Sequence, residues 1–409
     1  MILPSTVFSV AELGRARLGV GLIFLANGAG FASLVPRLPE VKAELGLTNA
    51  LFGTAIAAFP AGAFASGLFA AVLIRRWGSP VVAWVGMVLS MLSILAAAAA
   101  PSLVVFMAAI FLAGCADSVT DVAQNHHALR VQKQLGRSII NSYHAMWSVG
   151  ALLGGALGAG AIAVGLDRLA HLALVAVLLV AVTTAGWRMM LPGPEPTEAT
   201  ADHPDHSGEG RSSWLRHPWL VLAGLSLLAI AGAVIEENAG TWATLYMSTE
   251  LGVAGGLTAA AYVAAMAFHF LGRVSGDALV NRLGQALMAR LGGALVVVGM
   301  GLAIAFPSPW MTVVGYACAG YGVATIIPSI FEAADAMPGF KPGTALMVTS
   351  LLLRIGFLVS PPLLGLVADA TAIRWALLVV PAAGLLVVAL AGILSGRHAS
   401  SDVPVPASR

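Results

Sequence analysis

The chain has 409 residues, 59% of them hydrophobic and only 10% charged, with a net charge of +2 and a mean hydropathy of +0.90. Soluble domains carry about 25% charged residues, so this composition excludes a soluble globular protein and indicates an integral membrane protein. The apolar stretches are long and continuous rather than alternating segments of about ten residues, which selects helices over barrel strands.

Apolar runs of about twenty residues between charged or Pro/Gly breaks predict twelve spanning helices. They cover 17–36, 50–73, 80–100, 102–129, 138–165, 168–191, 215–247, 256–280, 285–306, 309–332, 343–368 and 373–395. No cleaved leader is expected, because Arg15 and Arg17 precede an apolar run of full spanning length. Helix 4 contains GCADSVTDVAQNHHALR, Gly114 to Arg130, which places two carboxylates in a segment otherwise suited to lipid. An ionised group near a helix centre costs about 2.5–3.5 kcal/mol on insertion scales, so Asp117 should face a bundle interior or a watery cavity. Asp117, Asp121 and Asn125 are spaced i, i+4, i+8 and therefore share one helix face.

Between helices 6 and 7, Pro192 to Ser213 holds five acids and four prolines with almost no apolar residue, the composition of a solvated linker. The expected organisation is a six-helix half over 1–191, a cytoplasmic linker over 192–214, a second six-helix half over 215–396 and a cytoplasmic tail over 397–409. With the N-terminus inside, sixteen of the 21 Lys and Arg residues fall inside, only Arg37, Lys42, Arg168 and Arg374 fall outside, and Arg354 is the one counted as intramembrane. That positive-inside bias puts both termini in the cytoplasm.

The halves look duplicated. IRRWGSP at Ile74 and VNRLGQA at Val280 set Arg76 and Gly78 against Arg282 and Gly284, an offset of 206. Val149 and Gly150 match Ile355 and Gly356 at the same offset, and Cys115 meets Cys318 with a small shift. Both cysteines lie in apolar segments without metal-ligand spacing and are expected to be buried thiols without a redox role.

Twelve helices, a long central loop and repeated halves resemble the major facilitator superfamily. GRVSGDALVNRLG, Gly272 to Gly284, is similar to its Gly- and Arg-rich signature between helices 8 and 9, with Asn281 where an Asp is common. The first-half counterpart, GLFAAVLIRRWG, has Arg75 at that place. The resemblance marks Arg76, Gly78, Gly272, Arg273, Asp277, Arg282 and Gly284 as the gating-loop set. PRLPEVKAELGL at Pro36, DVAQN at Asp121, SYHAMWSVGALLGG at Ser142, MPGFKPGTA at Met337 and GFLVSPPLLGLVAD at Gly356 are similar to the fucose-permease-like branch. It departs from that branch at Thr241, where an acid is usual before the Trp, and at Arg354, where an uncharged residue is usual.

The resemblance implies an all-α membrane protein in the cytoplasmic (inner) membrane. It implies a secondary transporter, not an enzyme, that rocks two halves about a midplane site, often driven by protons. Helices 1, 4, 7 and 10 would line the cavity. Asp121 and Glu236 are then the proton-coupling candidates, since a buried carboxylate changes charge with its surroundings. The alternative for Asp121 is a fixed hydrogen bond to helix 2 or to the loop between helices 4 and 5. Candidate solute contacts are Asn27, Asp117, Asn125, His144, Glu237, Trp242, His269, Tyr321 and Arg354. Arg354 cannot lose its proton and needs Asp117, Glu236 or an anionic ligand as partner. His126 and His127 are expected at the interface, not at a metal site.

The expected partners are a small polar solute of sugar or polyol type, protons and the lipid bilayer. No nucleic acid, cofactor or metal is expected, and the chain is read as a monomer. Two alternatives stay open. A glycine run in helix 5, VGALLGGALGAG, faintly resembles an antiporter signature and would fit proton-driven efflux of a drug or metabolite. A membrane-embedded sensor or enzyme on the same fold is the other.

Overall fold

In the computed structural model of the protein, residues 8–136, 139–192, 218–337, 339–340 and 343–395 are described. The expected linker beyond Pro192 and the expected tail lie outside these residues. Among the described residues, twelve helices are long and apolar enough to cross a membrane. In the first half they are α1 Val10–Leu34, α2 Asn49–Trp77, α3 Ser79–Ala98, α4 Leu103–Leu135, α5 Ile140–Ala163 and α6 Arg168–Trp187. In the second they are α7 Pro218–Thr241, α8 Ala260–Leu283, α9 Gln285–Ala305, α10 Pro309–Asp335, α11 Thr344–Ala370 and α12 Ile373–Ser395.

The main departures from the sequence-based boundaries are breaks. Helix 7 stops at Thr241 and resumes as Ala243–Thr249, and helix 10 stops at Val323 and resumes as Ile326–Asp335. Continuous hydropathy cannot register such breaks, because every residue around them is buried whether or not the helix is straight.

The offset of 206 recurs as contacts, not merely as letters. Ser102 and Ser308 cap α4 and α10, their hydroxyls accepting from the amides of Val105 and Met311 at 3.4 and 3.2 Å. Gly78 and Gly284 turn the chain from α2 to α3 and from α8 to α9 with φ of 81° and 80°, a region that only glycine enters cheaply. Gly114 packs on the Phe59 carbonyl and Gly320 on the Ala265 carbonyl, where an added Cβ would sit 2.0 and 2.2 Å from the oxygen. Arg168 Nε donates to the Ala98 carbonyl at 3.0 Å, and Arg374 Nε to that of Ile304 at 2.8 Å. The cysteines are not equivalent in this register: Cys115 donates its thiol to the Gly62 carbonyl on α2, whereas Cys318 packs on Gly299 of α9. Both are free, half-buried thiols.

The near face is defined here by the start of α1 and the end of α2; the far face lies opposite. The halves meet closely toward the far face. Ideal Cβ atoms on Gly53 of α2 and Gly365 of α11 would lie 2.1 Å from the Pro361 carbonyl oxygen and 2.3 Å from that of Asn49, so the two backbones touch. Asp369 then accepts from the amides of Asn49 and Ala50, both at 2.8 Å, and so caps α2 from the opposite half. Across the second seam, Gly155 of α5 packs on the Tyr262 ring of α8, and Gly256 packs on the Ala159 carbonyl. The Phe52 and Trp242 rings join the halves edge to face with centroids 6.0 Å apart. Toward the near face the halves part, leaving His144 and Arg354 exposed although each lies inside a spanning helix.

Candidate functional site

The first-half wall is built on the stripe of α4. Asp117 Oδ1 accepts from Asn27 Nδ2 at 2.7 Å, linking α4 to α1. The Asn27 carbonyl in turn accepts from Gln124 Nε2 at 3.2 Å and from Trp147 Nε1 of α5 at 3.1 Å. Asp121 Oδ1 accepts from Gln124 Nε2 at 3.1 Å and from Asn125 Nδ2 at 3.0 Å. Among the described residues its hydrogen-bond partners are therefore amides on its own helix, not α2 or the loop after α4. Asn125 is committed to this role, since Nδ2 also donates to the Asp121 carbonyl at 2.9 Å. Asp117 thus faces the bundle interior, in an interhelical bond to an Asn of α1.

The second-half wall comes from α7, α8, α10 and α11. Glu236 and Glu237 diverge, as neighbours on a helix must. Glu237 accepts from the Thr241 hydroxyl, and its second oxygen is buried without a partner. Asn238 accepts from the Tyr316 hydroxyl at 2.6 Å, while its own amide nitrogen is buried without a partner. The Ser360 hydroxyl is another such group. Glu236 is instead coupled through space to Arg273.

Arg273 is the main correction to the sequence-based site. It was placed in the gating-loop set, yet it lies inside α8, eleven residues before Gly284, with Gly272 and Asp277. It follows Tyr262 by eleven residues, three helical turns, and so shares the face that meets α5. There its Nη1 donates to Ser148 Oγ at 3.1 Å, and its guanidinium lies 5.9 Å from the Trp147 ring centroid. Gly272 packs α8 onto the Tyr321 backbone, and Asp277 is exposed. Of that set, Arg76, Gly78, Arg282 and Gly284 sit at the two turns.

Arg354 is exposed on α11, on the face it shares with Pro361 and Gly365, the residues that touch α2 further along. Its electrostatic partner is Asp121, not Asp117 or Glu236. His144 is coupled to Asp121 and Arg273, and its ring meets Phe24 edge-on at 5.6 Å. His269 is buried on α8 within reach of the Arg273 charge. Tyr321 is turned away from these groups toward Ser275, the hydroxyls 3.0 Å apart. Trp242 is fully buried in the far-face seam and does not line the open part of the cavity in this conformation.

His127 also departs from expectation. It is buried, not interfacial: Nε2 accepts from the Leu191 amide at 3.1 Å, which leaves Nδ1–H to donate to Ser79 Oγ at 2.8 Å. It thereby ties α4 to the start of α3 and the end of α6. The polar cavity is distinct from an apolar groove of about 600 Å³ between α2, α4 and α11, lined by Ala57, Phe111 and Val359 among others.

Sequence reasoning missed Gln124, Trp147, Ser148, Asn238, Tyr316 as a hydrogen-bonding group, Ser360 and Asp369. Gln124, Trp147, Ser148, Ser360 and Asp369 all fall in strings that carried the family resemblance, and Asn238 adjoins the Glu pair. Their polarity inside apolar helices was the available signal.

The comparisons agree with this architecture. A family model described as the Major Facilitator Superfamily matches residues 20–356. An uncharacterized transporter of Sinorhizobium fredii is 30% identical over 382 residues, 92% of this chain and 97% of its own. Membrane protein MosC of Rhizobium meliloti is 28% identical over 385 residues, covering 94% of this chain and 91% of its own. Among solved structures, the nucleoside transporter NupG superposes with a TM-score of 0.67 at 12% identity, covering 94% of this chain and 98% of that one. FucP, in the outward conformation, gives 0.61 at 18% identity, covering 92% and 98%. The chain belongs to the Major Facilitator Superfamily and is a transporter of twelve helices in two related halves.

Proposed function

We propose that this transporter is a proton-coupled carrier of a small polar solute, sugar- or polyol-like, acting as a monomer in the cytoplasmic membrane. The observation that carries most weight is the placement of Asp121: a carboxylate held by two amides on α4 of one half and coupled through space to Arg354 on α11 of the other. A carboxylate whose cationic neighbour belongs to the other half changes surroundings when the halves rock, which is the requirement for taking up a proton on one side and releasing it on the other. Glu236 has its cation, Arg273, within its own half, and Arg273 in turn touches Ser148 of the first half.

With the termini inside, as the Lys and Arg distribution favours, the near face is cytoplasmic. The conformation is then inward-open, and the far-face seam is the external gate. The linker over 192–214 and the tail over 397–409 would both lie in the cytoplasm. The helix 5 glycines pack on α1, where Cβ atoms on Gly150 and Gly154 would lie 2.0 and 2.5 Å from the Leu25 and Ala29 carbonyl oxygens. Close packing accounts for them, so they give no weight to efflux.

The test is solute-induced pH change and counterflow in proteoliposomes. A sugar or polyol that drives proton movement with wild-type protein, and exchanges without proton movement in Asp121→Asn or Glu236→Gln, is the expected result. Retained gradient-driven accumulation in both variants would remove these residues from the coupling role.

A further inference from the structure

Arg354 enters the proton-coupling proposal only as a charge near Asp121, and its hydrogen-bonding capacity is left unused there. It lies ten residues along α11 from Thr344, a depth of about 15 Å at 1.5 Å per residue. The positions three and four away on its own helix are Leu351, Ser350, Phe357 and Leu358, so no acid of α11 is placed to neutralise it. Its side chain is exposed where the halves part, and among the described residues it makes no hydrogen bond or ion pair. The acid that feels it, Asp121, has turned its Oδ1 to the Gln124 and Asn125 amides instead. Five N–H donors are thus presented to the cavity in a planar fork, deep within an apolar helix, with no protein acceptor.

Such a fork matches a planar oxyanion bound through two parallel hydrogen bonds. A second cation lies on the facing seam, where Arg273 is held over Trp147 by Ser148. The other cavity acids do not compete for the fork. Asp117 is bonded to Asn27, Glu237 to Thr241, and Glu236 is coupled to Arg273.

We propose that Arg354 is a solute-binding residue and that the solute carries an oxyanion, with a polyhydroxylated carboxylate as its class. This deepens the carrier proposal above and rests on the same cavity being the solute site. Asp121 and the solute carboxylate are then alternative acceptors for one guanidinium.

The experiment uses purified full-length protein and matched pairs of probes: gluconate and glucuronate against glucose, and galacturonate against galactose, by thermal shift and then titration. The expected result is stabilisation by at least one acid, at least tenfold tighter than by its neutral partner. Binding falls at least tenfold in Arg354→Gln and is partly restored in Arg354→Lys, which keeps the charge without the fork. Asp121→Asn, which removes the competing negative charge, keeps or strengthens acid binding. Equal binding of acid and neutral partner overturns the proposal, as do unchanged acid binding in Arg354→Gln, equal losses in Arg354→Gln and Asp121→Asn, and failure of every acid to stabilise the wild type. Arg354-dependent acid binding without counterflow of the same acid would instead defeat the carrier proposal and leave the anion site standing.

Discussion

The two walls of the cavity differ in how their polar groups are satisfied. On the first-half wall, Asn27, Asp117, Gln124, Trp147, Asp121 and Asn125 form a connected network in which the amide of Asn27 serves three partners and that of Gln124 two. On the second-half wall, one oxygen of Glu237, the neighbouring Ser360 hydroxyl and the amide nitrogen of Asn238 are buried without a hydrogen bond, against Gln124 Oε1 alone in the first-half network. Satisfied networks rigidify, and unsatisfied buried groups retain capacity for a ligand or water. The first wall is thereby the more connected of the two, and the second has more hydrogen bonds still to make.

The largest way to break this contrast is at the seam that holds the walls together. Gly53→Leu should prevent far-face closure, because the first added carbon already falls 2.1 Å from the Pro361 carbonyl oxygen. The measurement is a distance distribution between spin labels at Ala43→Cys and Thr249→Cys, with Cys115 and Cys318 replaced by Ser; an unchanged distribution would show that the backbone contact does not set closure. Asp369→Asn acts on the same seam more mildly. It removes the charge from two charge-assisted bonds worth about 1.5–3 kcal/mol each against no bond, and it should move part of that distribution to longer distance while leaving a closed population.

The network itself is tested next. Asn27→Leu deprives Asp117, Gln124 and Trp147 of a partner at once, and each buried group left unsatisfied costs about 1–3 kcal/mol. Glu237→Gln on the opposite wall alters a group already lacking one partner, so its thermal unfolding midpoint should fall less than that of Asn27→Leu. The reverse order would mean that the second wall is the rigid one.

The smallest effect concerns one task done differently in the two halves. The start of α6 is capped by Asp167, which accepts from the Leu169 and Ala170 amides at 2.9 and 3.0 Å. The equivalent start in the second half, at Ile373 and Arg374, is capped by the Glu250 carboxylate from a distant segment. The backbone amides, chiefly that of Ala170, hold the Asp167 carboxyl below its ordinary range. Because the folded value is lowered, its stabilisation is present above the unfolded value and is lost as pH falls through the folded one. The difference in unfolding midpoint between wild type and Asp167→Ala should therefore be constant near neutrality and close below about pH 4. A difference that persists in acid would mean that the carboxylate charge is not what caps α6.

Local composition and spacing determined much of this protein. The twelve apolar runs, the positions of Gly78 and Gly284, the offset of 206 and the shared face of Asp117, Asp121 and Asn125 follow from hydropathy and from 3.6 residues per turn, which need no neighbour. Tertiary structure decided the rest. Spacing assigns a residue to a face but does not say which helix that face meets. Only packing put Arg273 over Trp147, turned Oδ1 of Asp121 to the amides of its own helix, and brought Asp369 to the amide of Asn49, 320 residues away in sequence. Hydropathy also could not separate a buried helix from a broken one at Thr241 or Val323, since both states bury the same side chains.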